Sequence, residues 1–182
     1  MEEQLVLVDR NDNAIGLAEK LHVHRNGSLH RALSIFVFDS SGNLLLQQRA
    51  QTKYHSGNLW SNTCCGHPRP GESSQDAAHR RLTEEMGFDC ELREVFSFIY
   101  HAKLDETFFE HEFDHVFIGR FDDAPVPNPE EVRDWKWISI PDLLKDIETT
   151  PDKYTYWLKI SLKECVPFLD SVQTHDLHHL ED

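Results

Sequence analysis

The sequence predicts an α/β fold, a single compact domain in which a mixed β-sheet is sandwiched by helices. The chain has 182 residues, a length typical of one domain. Segments rich in β-forming residues recur along it and are separated by turn residues. A few segments with helical periodicity are interleaved with them, a pattern that favours a mixed sheet. There is no internal repeat and no linker, so residues 1–182 are interpreted as one domain.

Strands are predicted from runs of β-forming residues bounded by turns. The clearest run is 32–38, which is followed by the turn residues 39–43 and by a second apolar run, 44–48. This pattern is typical of a hairpin. The proline-containing residues 125–129 are predicted to form a loop. The other segments predicted as strands are 5–8, 60–64, 90–100, 113–121 and 135–138.

The clearest helix is predicted over residues 74–86. Ser73 or Ser74 can cap its first turn, and Gly87 suits the left-handed conformation that often ends a helix. Further helices are predicted at 140–147 and 155–169. The residues that share one face of the first helix, at helical spacing, are Ala78, Arg81, Leu82 and Glu85.

Composition argues against several classes of function. A formal net charge of -14 disfavours nucleic-acid binding, which needs a basic face, and an anionic substrate would need a local basic cluster. No apolar run approaches the ~18 residues of a membrane span, and the acidic N-terminus resembles no signal peptide, so no membrane association is predicted. The chain has 4 cysteines, two of them adjacent. We interpret them as reduced thiols of a cytoplasmic protein.

The most informative segment is residues 61–72. It places the thiol of Cys65 two residues before the imidazole of His67, and a glutamate follows. The segment leads directly into the predicted helix 74–86, which ends in paired acids and a glycine. A thiol, an imidazole and an acidic helix in succession indicate a metal-dependent active site. The chain also contains 12 histidines, an excess that favours a chemical role for some of them.

Residues 66–88 resemble a Nudix box, the signature of a superfamily of metal-dependent hydrolases. One position departs from the pattern, because Arg81 stands where the box has glutamate. Nudix hydrolases gather several divalent cations on clustered carboxylates. A guanidinium near Glu85 implies that fewer metals gather here and that Arg81 instead pairs with phosphate oxygens. The positions that match the box are Gly66, Glu72, Arg80, Leu82, Glu84, Glu85, Gly87 and Phe88.

Motifs outside the box extend the resemblance to nearly the whole chain. They are Glu19-Lys20, residues 29–34, 48–50, 60–68 and 110–112, and Trp157. With these motifs the chain resembles the type I isopentenyl-diphosphate isomerases, a branch of the Nudix superfamily. The resemblance implies a Nudix-like mixed sheet and an isomerase of isoprenoid biosynthesis that interconverts isopentenyl and dimethylallyl diphosphate. Such a reaction needs a strong acid, a base and a dry pocket that tolerates a carbocation.

The resemblance assigns proton transfer to Cys65 and Glu112, and which of them donates first is left open. Adjacent side chains of an extended segment point to opposite faces, so Cys65 should reach the substrate and Cys64 should not. The resemblance also implies that Tyr100 hydrogen-bonds the catalytic carboxylate. The ring of Trp157 is expected to stabilise a carbocation. Ordinary packing is the alternative explanation for both aromatic residues.

The resemblance further implies one bound divalent cation, Mn²⁺, Zn²⁺ or Mg²⁺. Alternation along a strand would put Glu110 and Glu112 on one face, and a mixture of imidazoles and carboxylates suits Zn²⁺ or Mn²⁺. His22 is an alternative to His24, because both face the same side if that segment is extended. The implied ligands are His24, His30, His67, Glu110 and Glu112.

The diphosphate is expected to bind a basic cluster and a second cation. Glu85 is predicted to hold a Mg²⁺ that bridges the phosphate oxygens. The tail from about residue 172 contains three histidines and is predicted to be a flexible terminus, not a metal site. A monomer is favoured. The basic residues that the resemblance implies for substrate binding are Lys20, Arg49, Lys53 and Arg81.

Two other classes of function compete with the isomerase. A Nudix hydrolase of a nucleoside diphosphate derivative would need neither Cys65 nor Arg81, and it would keep glutamate at position 81. A non-catalytic Nudix-like binding module would have no use for the thiol or for the metal ligands. The retained residues therefore favour the isomerase. Assays with isopentenyl diphosphate and with a panel of nucleotide sugars would separate the isomerase from the hydrolase, and the metal content of the purified protein would test the binding module.

Overall fold

The computed structural model describes residues 3–53 and 55–175. Within them no helix is both long and apolar enough to cross a membrane. The strands are β1 Gln4–Val8, β2 Ala14–Glu19, β3 His30–Phe38, β4 Leu44–Arg49, β5 Trp60–Ser61, β6 Cys64–Gly66, β7 Leu92–Lys103, β8 Phe109–Arg120 and β9 Val132–Ile138. The helices are α1 Lys20–Asn26, α2 Ser74–Met86, α3 Ile140–Thr149 and α4 Tyr156–His175, with a short 3₁₀ turn at Pro151–Lys153.

Strand β3 lies at the centre of one mixed sheet. It pairs in parallel with β8 from His30 opposite Glu112 to Phe38 opposite Arg120, and antiparallel with β1, β4 and β6. Strand β7 extends the sheet beyond β8, and β9 extends it beyond β4. Nearly every residue of β3 is buried, as expected of an apolar strand that is covered on both faces.

Helices cover both faces of the sheet, as predicted. Leu33, Ile35 and Val37 of β3 share a core with α2. The alternate residues Phe36 and Phe38 face the other way and share a core with α3 and α4. Because side chains alternate along a strand, one continuous apolar segment supplies both cores. The predicted sandwich is therefore confirmed.

The predicted strands are present, but several boundaries and pairings differ. The predicted hairpin of β3 and β4 is paired at Phe38 and Leu44, after which β4 pairs with β9 and β5. Segment 60–64 is divided between β5 and β6. Strand β8 begins at Phe109, so the acidic motif 110–112 lies inside the strand and does not precede it.

The helix predictions hold more closely. Helix α2 has the predicted bounds, with Ser73 accepting a hydrogen bond from the Asp76 backbone N–H and with Gly87 in the left-handed region. Helix α3 ends two residues later than predicted. The backbone of α4 continues through 172–175, where a flexible tail was predicted to begin. Residues 176–182, which include two of the three tail histidines, lie outside the described residues.

Gly87 ends α2 in a position that no other residue fits. Its φ is 74°, and an added Cβ would lie 2.0 Å from the backbone oxygen of Val126. We expect Gly87→Ala to lower the free energy of unfolding by about 2–5 kcal/mol, from left-handed strain and from the clash. Urea unfolding would measure it. Gly71→Ala is the matched control, since Gly71 has a φ of 81° and nothing within 4 Å. Equal losses in the two variants would contradict the clash.

Candidate active site

A cavity of about 150 Å³ lies beside β6, β8 and the N-terminus of α4. Nearly all the residues predicted for catalysis, substrate or metal line its wall. His30 is the exception, and it lies directly behind His67, with their Nε2 atoms 3.3 Å apart. The predicted residues in the wall are Lys20, His24, Arg49, Lys53, Cys65, His67, Arg81, Glu85, Tyr100, Glu110, Glu112 and Trp157.

Two histidines at one end of the cavity are held in the tautomer that binds metals. The Nδ1–H of His24 donates to the Lys20 carbonyl at 2.8 Å, and the Nδ1–H of His30 donates to the Ser28 carbonyl at 2.9 Å. A neutral imidazole with its proton on Nδ1 presents the lone pair of Nε2. Both Nε2 atoms therefore act as acceptors, that of His24 in the cavity wall and that of His30 beside His67.

The donor atoms of this cluster converge. Glu112 Oε1 lies 3.3 Å from His67 Nε2 and 3.6 Å from His30 Nε2, and Glu110 Oε2 lies 3.3 Å from His24 Nε2. Donors bound to one cation at about 2.1 Å lie about 3 Å from their neighbours. Glu110 Oε2 is buried and has no hydrogen-bond partner within the described part of the chain. The donor atoms of His24, His30, His67 and Glu112 all lie within 4.8 Å of one another and fit one divalent cation. Glu110 adjoins this group through His24.

Protonation equilibria in the cluster agree with this fit. Burial lowers the pKa of His67 to about 3 and also lowers the pKa of His24, so both imidazoles are neutral near pH 7. Burial, followed by the nearby charge of Glu112, raises the pKa of the Glu110 carboxyl. Two carboxyl groups side by side in a buried site can both be ionised only when a cation balances them.

Helix α1 separates His24 from its competitor. His24 is 1% exposed, whereas His22 is exposed and its Nε2 contacts the Asn26 amide at 2.8 Å. The condition under which both would face the same side, an extended segment, is wrong. Residues two apart on a helix point in different directions. The geometry therefore places His24, and not His22, with the donor cluster.

The two adjacent cysteines face opposite sides of β6. The Cys65 thiol faces the cavity and donates to Asn62 Oδ1 at 3.2 Å, with Ser34 Oγ at 3.8 Å. Cys64 is fully buried against α2, and its thiol donates to Glu85 Oε2 at 3.3 Å. Burial, followed by the charge of Asp114, raises the pKa of the Cys65 thiol. Cys65 is therefore protonated at neutral pH and can donate a proton.

Tyr100 contacts the carboxylate of Glu112 directly. Pairing of β7 with β8 places the two residues opposite each other, and the Tyr100 hydroxyl donates to Glu112 Oε2 at 2.6 Å. Tyr100 lies inside β7, three residues before its end, and not at a strand end as predicted. Glu112 thus presents one oxygen to the histidines and the other to Tyr100.

Trp157 forms another part of the wall. Its indole N–H donates to Ser61 Oγ at 2.8 Å, and the guanidinium carbon of Arg49 lies 5.1 Å from the ring centroid. The ring therefore already contacts one cationic group. The hydrogen bond to Ser61 fixes its orientation, so packing alone does not describe this residue.

The predicted basic residues line the cavity, and most of them form ion pairs with acidic neighbours. Lys20 Nζ lies 2.8 Å from Glu3, and Lys53 is bonded to Glu131. Their side chains are about a quarter exposed or less. A local cluster of cations thus exists on a strongly acidic chain, as an anionic substrate would require.

Comparison with known proteins agrees with this geometry. The NUDIX domain matches residues 28–158. A Photorhabdus laumondii protein named isopentenyl-diphosphate Delta-isomerase 2 is 61% identical over 159 residues, which cover 87% of this chain and 90% of that protein. One of the same name from Aromatoleum aromaticum is 55% identical over 166 residues, 91% of this chain and 88% of that protein. The chain belongs to the isopentenyl-diphosphate Delta-isomerase family, within the Nudix superfamily.

Solved structures support the Nudix fold of this isomerase-family chain. A crystal structure from Deinococcus radiodurans has a TM-score of 0.76 at 21% identity and covers 90% of this chain and 99% of its own. The MutT protein of Methanosarcina mazei has a TM-score of 0.55 at 18% identity, over 64% of this chain and 81% of its own. At these identities the similarity establishes the fold alone.

Two neighbouring arginines of the Nudix box have different surroundings: Arg80 forms an ion pair with Glu72, and Arg81 lines the cavity. Arg80 donates two bonds to the Glu72 carboxylate at 2.7 and 2.8 Å and a third to the His67 carbonyl at 3.2 Å. These bonds tie the loop that presents His67 to α2. Arg81 packs on Gly66, where a Cβ would lie 2.8 Å from Arg81 Cγ, and its guanidinium is bonded to Glu85.

Several residues at the site were not predicted from the sequence, among them His55, Asp114, Ser34 and Asn62. His55 lines the cavity, and burial followed by the charge of Arg49 lowers its pKa to about 3. Asp114 is fully buried and accepts a 2.8 Å bond from Ser34, which lies near Cys65 together with Asn62. The alternation that paired Glu110 with Glu112 continues to Asp114 and could have identified it. No periodic signal marks His55, which lies in a loop.

Proposed function

We propose that the chain catalyses the interconversion of isopentenyl diphosphate and dimethylallyl diphosphate. The observation that supports this most strongly is that one cavity contains three features: the protonated thiol of Cys65, the Glu112–Tyr100 pair, and a group of lysine and arginine side chains. Moving a C=C bond by one position requires a proton to add at one carbon and another to leave a second carbon. Both kinds of group are present in the wall.

The proton transfers are assigned to Cys65 and Glu112. One of them donates a proton to the alkene, and the other accepts a proton from the carbocation-like intermediate. The reaction is reversible, so each group acts as acid in one direction and as base in the other. Tyr100, bonded to Glu112 at 2.6 Å, orients the carboxylate. Trp157 offers its ring face to the developing positive charge.

The cation site is assigned to His24, His30, His67, Glu110 and Glu112, with Mn²⁺, Zn²⁺ or Mg²⁺ as the ion. Imidazole and carboxylate donors suit Zn²⁺ and Mn²⁺ in particular. Bound there, the cation supplies positive charge that neutralises the paired carboxylates and lowers the basicity of Glu112. The protein's part is to fix the ligands before substrate arrives, through the backbone bonds of the histidines and the Tyr100 hydroxyl.

The diphosphate is assigned to the basic end of the cavity. Lys20, Arg49, Lys53 and Arg81 donate to its oxygens, and charge-assisted bonds of this kind are the strongest that a protein offers phosphate. Glu85 would hold a Mg²⁺ with the substrate, because hard oxygen ligands suit that ion. In this structure Lys20 is paired with Glu3, and Lys53 is paired with Glu131. Both ion pairs must therefore break when the two lysines bind the diphosphate.

An assay with isopentenyl diphosphate tests the proposal directly. We expect dimethylallyl diphosphate to form, and we expect a panel of nucleotide sugars to remain intact. Hydrolysis of a nucleotide sugar without isomerisation would instead support a Nudix hydrolase. Arg81 disfavours that function, because it replaces one of the carboxylates on which such enzymes gather metal.

Activity should depend on a divalent cation. Dialysis against a chelator should abolish turnover, because the buried pair Glu110 and Glu112 would lose the charge that balances it. Addition of Mn²⁺, Zn²⁺ or Mg²⁺ should restore turnover, and elemental analysis of each sample would relate activity to bound metal. Full activity in protein shown to be metal-free would contradict the assignment.

The compartment and the oligomeric state stay predictions. The free thiols of Cys64, Cys65, Cys90 and Cys165 favour a reducing compartment such as the cytoplasm. A monomer is the predicted oligomeric state, and light scattering on the purified protein would test it.

A further inference from the structure

His55 lies beside the cluster of proposed metal ligands, although no pattern in the sequence predicted this position. It belongs to the loop between β4 and β5, and its side chain is 6% exposed. Its Nε2 is 3.5 Å from Glu110 Oε1, and its ring stands perpendicular to that of Trp157, with centroids 5.8 Å apart. A buried imidazole between a metal carboxylate and the substrate wall calls for an explanation.

The lone pairs available argue against two metal sites that both use His24, one of which would include His55. Donor atoms converge in two groups, one of His24, His30, His67 and Glu112 and the other of His24, His55 and Glu110. His24 is common to both. Its Nδ1–H is donated to the Lys20 carbonyl, so a single lone pair remains, on Nε2. One lone pair binds one cation, and the two groups cannot both be filled through His24.

The two oxygens of Glu110 face different neighbours. Oε2 lies 3.3 Å from His24 Nε2, on the side of the metal cluster, and Oε1 lies 3.5 Å from His55 Nε2. The Ser56 hydroxyl lies 3.3 Å from His55 Nδ1 and can donate to it. Such a bond leaves the ring proton on Nε2, directed at Glu110. This tautomer is the reverse of the one that the backbone imposes on His24 and His30.

We propose that His55 is a positioning residue of the metal site, whose Nε2–H donates to Glu110 Oε1 and directs Oε2 toward the cation. The inference rests on the proposed function, which assigns Glu110 as a ligand. Partners of this kind fix the orientation of a ligating carboxylate, and their loss typically lowers metal affinity about 10–100-fold. The His55 backbone oxygen also accepts a 3.4 Å bond from Arg49, so the same loop contacts the phosphate end of the cavity.

The test measures metal affinity and does not depend on isomerase activity. Co²⁺ would be titrated into the metal-free protein in competition with a chromophoric chelator. His55→Phe keeps a ring against Trp157 but removes the donor, and we expect a 10–100-fold loss of affinity. His55→Gln places an amide N–H near the position of Nε2 and should retain most of the affinity. His101→Phe, an exposed histidine outside the cavity wall, is the matched control and should bind Co²⁺ as the parent does.

A double-mutant cycle with Glu110 separates positioning from general damage. If His55 acts through Glu110, His55→Phe should cause little further loss of affinity in a Glu110→Gln background. Additive losses would overturn the proposal, as would parental affinity in His55→Phe. An equal loss in His55→Gln and His55→Phe would also overturn it, since that result would make the imidazole itself a ligand. If His55→Phe fails to fold, judged by circular dichroism, His55→Leu takes its place in the same cycle.

Stoichiometry and turnover distinguish failure of this inference from failure of the proposed function. We expect one Co²⁺ per chain in the parent and in every His55 variant. Two ions in the parent and one in His55→Phe would show a second site and overturn the positioning role. A parent that binds one ion tightly, loses affinity as predicted and yet does not isomerise the substrate would support the role of His55 while rejecting the proposed reaction.

Discussion

Cys65→Ala should leave a folded, metal-loaded protein whose turnover is lower by at least about 10³-fold. A positioned proton donor or acceptor typically contributes 10²–10⁴-fold, and an unactivated alkene offers no easier route to protonation. The Cys65 thiol lines the cavity, and burial raises its pKa. It is therefore protonated at neutral pH. Steady-state kinetics with isopentenyl diphosphate, together with the metal content of the variant, would measure the effect.

Cys64→Ala is the matched control, because its thiol lies one residue away and points into the core beside Glu85. It should retain substantial activity. Glu112→Gln should also be inactive, but its metal content must be measured first, since Glu112 is assigned to the cation as well. In D₂O the parent should place solvent deuterium in the allylic product. A deuterium-free product after many turnovers, or a Cys65→Ala enzyme as fast as the parent, would contradict acid–base exchange with solvent.

The parts of the site that the sequence predicts are those set by short-range geometry. Alternation along a strand separates Cys64 from Cys65 and brings Glu110 and Glu112 to one face, and both outcomes are present in β6 and β8. Helical periodicity and end signals likewise give the bounds of α2. These patterns depend on a few neighbouring residues, so they can be read without knowledge of the fold.

The parts that were missed depend on tertiary contacts. Helix α1 has seven residues and buries little besides Val23 and His24, so it shows no apolar periodicity. Because this helix was not predicted, the sequence could not distinguish His22 from His24 as the metal ligand. His55 lies in a loop, and its backbone oxygen accepts a hydrogen bond from Arg49. The pairing of the basic residues with Glu3 and Glu131 joins segments far apart in the chain, and no local rule predicts it.

The roles proposed for these residues rest on two independent observations. Membership of the isomerase family and the shared cavity both favour the assignments. Arg81 provides the sharpest test of the phosphate end, because it is the residue at which this chain departs from the Nudix box.

Arg81→Ala should raise KM for isopentenyl diphosphate by roughly 10–100-fold, since a charge-assisted contact is worth about 1.5–3 kcal/mol. Removal of the guanidinium also leaves Glu85 and Glu131, which it now contacts, with less positive charge to balance them. Both carboxylates would then repel the diphosphate. Arg81→Lys should raise KM less than Arg81→Ala does, because lysine keeps the positive charge but lacks the paired N–H donors of the guanidinium. Steady-state kinetics over a range of substrate concentrations would separate KM from kcat.

Arg69→Ala is the control for this prediction. Arg69 lies in the same box, pairs with Glu84 at 3.4 Å, has a side chain 63% exposed and does not line the cavity. It should leave KM within about twofold of the parent, since Arg69 is outside the cavity wall and its exposed ion pair contributes little to stability. Arg81→Glu restores the acid of the Nudix box but should not give an efficient nucleotide-sugar hydrolase, because Cys65, His67 and the rest of the wall remain built for another substrate. If both Arg81→Ala and Arg49→Ala kept the parental KM and kcat, the diphosphate would have to bind elsewhere. Rapid hydrolysis of nucleotide sugars by Arg81→Glu would show that one side chain decides between isomerisation and hydrolysis.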